Sequence, residues 1–185
     1  MNSFELTFGL TSVILGLALT HLANALRKLL LRGRDVAWAP EPLLLAGVIL
    51  MIIVSNWMHQ FSRNAGAPND GLALLNVLRM LTLYFAAGFC LPEPEPGETE
   101  IDLFRYYDRT RGFTYGSLSA GLAIFWIYNS VVEPAGWRAD LVSKLLPLAV
   151  WVALMFVRRR WLNLLLLVIP ILGVANDILQ VSLGK

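Results

Sequence analysis

Six polar side chains stand out because they lie inside apolar runs: Asn56, His59, Asn76, Arg79, Asn129 and Asp177. Amides, an imidazole, a guanidinium and a carboxylate gathered within a membrane could hydrogen-bond and select a small polar solute or ion. A charge inside a span costs about 2.5–3.5 kcal/mol on insertion scales, so Arg79 and Asp177 are expected to face the interior, where they can pair. Spacing sharpens the set. Asn56, His59, Gln60 and Arg63 recur at i, i+3, i+4 and i+7, which makes one helical face. Asn76 and Arg79 share another, and Asn163, Pro170, Gly173 and Asp177 fall on a common stripe. Asn129 lies on the side of its helix that bears Ser119, Trp126 and Glu133.

Depth joins these faces. Counted at about 1.5 Å per residue from each span's midpoint, Asn56, His59, Asn76, Asn129 and Asp177 lie about 7–11 Å outward of the midplane, with Arg79 a little deeper. The pattern predicts an outward-facing polar vestibule closed at its base by Arg79. Arg79 and Asp177 would set charge selectivity, and the amides with His59 would supply hydrogen bonds. Pro170 and Gly173 could break the helix beside Asp177, as happens at transport sites. The plainer alternative is a buried hydrogen-bond network that only holds helices together.

Other chemistries find no template. The chain has no HExxH, GxSxG or phosphate loop, and its single cysteine, Cys90, excludes both an intrachain disulfide and a paired-cysteine metal site. His21 and His59 invite bis-histidine haem ligation, but antiparallel helices would set them about 18 Å apart in depth. No metal and no cofactor are expected, and an enzymatic activity stays open as a less favoured reading than a non-enzyme.

The elements that must position these residues are membrane helices. Hydrophobic residues make up 57% of the chain and charged residues 15%, against roughly 45–50% and about 25% in soluble domains. Six spans are long enough by apolar length: Glu5–Arg27, Pro42–His59, Leu72–Leu91, Phe113–Val132, Leu141–Val157 and Trp161–Val181. The fifth is the shortest, which leaves five spans plus a re-entrant segment as an alternative. The expected fold is all-α, a polytopic bundle of six transmembrane helices forming a single domain over residues 1–185. Within it, residues 92–112 form an acidic, proline-rich loop followed by an aromatic and basic stretch suited to a short interfacial helix.

Orientation follows from lysine and arginine. Arg27, Lys28, Arg32, Arg34, Arg105, Arg109, Arg111 and Arg158–Arg160 fall in the odd-numbered loops, whereas the opposite side collects only Arg63, Arg138, Lys144 and Lys185. That bias places the arginine-rich loops in the cytoplasm and both termini outside, in a plasma or bacterial inner membrane. The expected partner is the lipid bilayer. The net charge of +2 and its scattered cations give no footprint for nucleic acid. In the first span Gly9, Ser12, Gly16 and Thr20 form a small-residue face fit for close helix packing. Such a face also supports a second reading, a non-catalytic subunit, scaffold or sensor element that holds a membrane partner or another copy of itself.

Overall fold

The structure, a computed structural model, describes residues 3–62, 70–94, 100–132 and 141–182. These residues form six α-helices: α1 (Ser3–Arg32), α2 (Pro40–Ser62), α3 (Asp70–Cys90), α4 (Leu103–Val132), α5 (Leu141–Phe156) and α6 (Arg160–Ser182). The fold is all-α. Four helices, α1, α2, α3 and α6, are long and apolar enough to cross a membrane. α4 has the length, but Arg, Asp, Tyr, Thr, Ser and Gly interrupt its apolar residues. α5 has only 16 residues.

Local chemistry sets the boundaries. α1 runs past Arg27 and Lys28 to Arg32, and Gly33 then takes a φ of +37°, a left-handed turn that suits glycine. Pro40 opens α2, where its missing N–H would have had no helical partner anyway. Asp102 Oδ1 accepts the Arg105 N–H at 2.9 Å and caps α4. No proline follows before Val132, and the aromatic, basic stretch suited to a short interfacial helix leading into span four is the continuous start of α4. The connection placed at 92–112 accordingly ends at Asp102.

Two short strands, β1 (Val36–Ala37) and β2 (Ile101–Asp102), pair in parallel with Val36 opposite Ile101. They tie the α1–α2 connection to the α3–α4 connection and mark one end of the bundle, the strand end. Several contacts gather there. Glu93 lies 3.1 Å from Lys28 Nζ and 3.6 Å from His21 Nδ1, Arg160 Nε meets Glu41 at 3.2 Å, and Arg111 donates to the Val157 carbonyl at 3.0 Å. Helices α1, α3 and α5 therefore finish at the strand end, and α2, α4 and α6 begin there.

α3 packs along both α1 and α4, α2 lies along α6, and α5 packs along α4. The α1–α3 contact buries Ala18, Ala25 and Leu29 with Ala86 and Ala87, and these small side chains let the backbones approach. The α3–α4 contact is close at Gly121, where an added Cβ would fall 2.5 Å from Thr82 Oγ1. Within the bundle α1 packs by another face than the one bearing Gly9, Ser12, Gly16 and Thr20. Gly9, Gly16 and Thr20 are exposed, Ser12 is half-buried, and nothing among the described residues comes within 4 Å of a Cβ placed at either glycine. Ala18 stands two positions from Gly16, about 200° around the helix, so the face that packs is opposite.

Arg63, Arg138 and Lys185, three of the four cations assigned to the outer side, lie outside the described residues, as does Glu133.

Candidate functional site

All six helices contribute to a cavity of about 840 Å³ in the half of the bundle away from the strands. Its polar wall comes from α2, α3 and α6. Ser55 and Asn56 are neighbours near the end of α2, and each holds a charged residue from a different helix. Ser55 Oγ donates to Asp177 Oδ2 on α6, and Arg79 on α3 donates to Asn56 Oδ1. The Asn56 amide is fixed at its other end as well, because Nδ2 donates to the Ile52 carbonyl at 2.7 Å. Arg79 is further oriented by Phe125, whose ring centre lies 4.4 Å from the guanidinium carbon.

Asp177 is held twice over. His59 Nε2 lies 3.1 Å from Oδ1 and 3.0 Å from Oδ2, one turn beyond Ser55 on the same face of α2. Both side chains are somewhat less than half exposed, so the pair sits where the cavity opens. α4 and α5 contribute apolar lining, with Leu118, Leu122, Phe125, Val150 and Trp151. Thr7 and Thr11 complete the enclosure from α1, where the Thr11 hydroxyl bonds back to the Thr7 and Phe8 carbonyls.

Five of the six expected residues thus line one cavity: Asn56, His59, Asn76, Arg79 and Asp177. Asn129 is not among the lining residues. Phe125, Tyr128 and Val132 take that position on α4, and Asn129 stands about 100° beyond Tyr128. Pro170 and Gly173 line the cavity on the stripe of Asp177, within a helix that continues through the proline. Two participants escaped sequence reasoning. Ser55 carries no charge and resembles any serine that bonds its own helix, and Phe125 is indistinguishable from a lipid-facing ring. The signal for Ser55 lay in its place one turn before His59.

Asn163, on the same sequence stripe as Asp177, serves a different cluster. At the strand end its Nδ2 donates to Tyr107 Oη at 2.6 Å, and Tyr107 shares a 2.8 Å hydrogen bond with Tyr115. Burial pushes the Tyr107 phenol above its ordinary range. Nearby, Arg160 stacks over Phe104 at 3.7 Å while pairing with Glu41, whose side chain is 2% exposed. His21 contacts Glu93 and the edge of Tyr84, in the half of the bundle opposite His59. No group of three or more His, Cys, Asp or Glu among the described residues is arranged to hold a metal ion.

No protein-family pattern, curated protein or solved structure matches the chain.

Proposed function

We propose that this chain is a six-span membrane protein that binds or passes a small polar solute or ion through an outward-facing vestibule. The observation that carries this reading is the convergence of Arg79, Asn56, Ser55, His59 and Asp177, from three helices, on the wall of one cavity. Two further features favour the membrane placement. Exposed Trp38, two residues before α2, and exposed Trp57, near its far end, have 18 residues between them, and the helical part from Pro40 to Trp57 rises about 26 Å, close to the thickness of a hydrocarbon core. Counting α4 and α5 as spans puts the arginine-rich connections on one side and both termini on the other. The positive-inside rule makes that second side the outer one.

Cysteine accessibility tests the vestibule. With Cys90 replaced by serine, single cysteines at Asn56, Asn76 and Asp177 should react in intact cells with a membrane-impermeant thiol reagent. Controls at Asn69 and Gly136 report the outer surface. Protection at all three positions, with both controls labelled, would make the network a dry structural one and end the proposal.

A second reading, a non-catalytic subunit that holds a membrane partner, draws on the open face at Gly9 and Gly16. Glycines there would let another helix approach closely. Its test is release of a co-purifying partner by Gly16→Leu.

A further inference from the structure

The turn between α5 and α6 carries a charge cluster that the vestibule does not use. The reversal is tight. The Val157 N–H still bonds the Ala153 carbonyl at 3.0 Å, and the Arg159 carbonyl already accepts the Asn163 N–H at 3.0 Å. Arg111 fastens the turn to α4 through the Val157 carbonyl. Of the three arginines at the tip, Arg160 is taken by Glu41 and by the Phe104 ring. Arg158 and Arg159 are exposed and have no acidic partner among the described residues. The carboxylates close by are engaged elsewhere, Glu41 by Arg160 and Asp108 by Arg111.

With α5 crossing the bilayer, the six-span reading on which this inference rests, depth decides what those two arginines meet. The 16 residues of α5 rise about 24 Å, less than the roughly 30 Å of a hydrocarbon core. A span that short thins the bilayer around it or draws its ends inward, and either way lipid phosphates reach the turn. Its flanks fit that level. Phe156 and Trp161 are 75% and 57% exposed, and a tryptophan beside cations settles among the headgroups. A phosphodiester is a planar match for the paired N–H donors of a guanidinium. A zwitterionic lipid would bring its own ammonium against the arginines, so a headgroup without one is favoured. We propose that Arg158 and Arg159 bind the phosphate of an anionic phospholipid, with its acyl chains against Phe156 and Trp161.

Trp161 supplies the readout. The protein is placed in nanodiscs of phosphatidylcholine with a minor fraction of phosphatidylglycerol, one of the two lipids being brominated high on its chains. The fluorescence missing in W161F isolates the Trp161 contribution. Brominated phosphatidylglycerol should quench it about fivefold more than its mole fraction warrants. That excess should vanish when Arg158→Gln and Arg159→Gln are combined, while quenching by brominated phosphatidylcholine persists. Arg27→Gln with Arg34→Gln, which removes two cations at the end of α1, should leave the excess in place. Quenching at mole fraction overturns the lipid assignment, whether the arginines then face water or acids of this same chain. An equal loss of excess without Arg27 and Arg34 also overturns it, because a general surface potential would then suffice. The unaltered protein alone can return the first of these results, so a misfolded variant cannot shield the idea. No quenching by either brominated lipid would take the turn off the membrane surface, and the six-span reading would fall with it.

Discussion

Ser55 and Asn56, adjacent on α2, hold opposite charges: Ser55 donates to the Asp177 carboxylate and Asn56 accepts from the Arg79 guanidinium. Consecutive helical residues point about 100° apart, so one turn of α2 reaches both α6's anion and α3's cation. Neutralising either charge should therefore have its own effect. Arg79→Gln and Asp177→Asn are each expected to abolish solute passage while the purified protein remains helical and monodisperse. Uptake into proteoliposomes is the measurement, and unchanged flux in both variants would remove these residues from any pathway.

The His59–Asp177 pair is partly exposed, so its stabilising effect is expected to be small, about 0.5–1 kcal/mol. A double-mutant cycle with His59→Ala and Asp177→Asn, read by unfolding in mixed micelles, should return a coupling of that size. A much larger value would mean the pair is sealed from water.

Gly121 permits a close α3–α4 approach. Gly121→Ala should drive the Thr82 hydroxyl off the Arg79 carbonyl, which it now bonds at 2.7 Å, at a cost of about 1 kcal/mol. Gly121→Leu cannot be absorbed by one rotamer and should part the helices. Thermal unfolding of the two variants, compared with Gly116→Ala, whose new methyl would meet only the Met155 terminus at 3.8 Å, checks the ranking.

Tyr107 should make the fold sensitive to alkali. Its buried phenol resists ionisation, whereas the unfolded chain ionises at about pH 10. The stability it contributes is fully present below that pH and is lost as pH rises toward the folded value. Tyr107→Phe should make this alkaline decline shallower. At neutral pH the same change costs about 1–3 kcal/mol, because the Asn163 amide loses its acceptor. Unfolding at pH 7 and at pH 10.5 separates the two effects.

Much of the cavity's polar wall was legible from helical periodicity, because intramembrane charges and amides are few and each fixes the face it needs. Asn56, His59, Asn76, Arg79 and Asp177 needed only a helix and a depth. Interior geometry was not legible in the same way. Asn129 is displaced from the cavity by a rotation of α4 that its packing against α3 and α5 sets, and no local pattern encodes such a rotation. Which face of α1 packs within the bundle was not legible for a related reason. Gly16 and Ala18 both permit close approach, and only the neighbouring helices decide which one is used. The β1–β2 bridge left no trace either, since two residues per strand are too short for alternation to show.

The ion pair between Glu41 and Arg160 joins the start of the second helix to the start of the last. During synthesis the carboxylate emerges 119 residues before its cation, so the start of α2 is made with its acid unmatched. The last helix is thus the one that completes the first half of the chain. Ribosome-bound intermediates stopped before Arg160 should leave Glu41 open to water-borne carboxyl reagents, and those released after it should not. A protein truncated ahead of α6 would then be a substrate for quality control rather than a smaller working bundle.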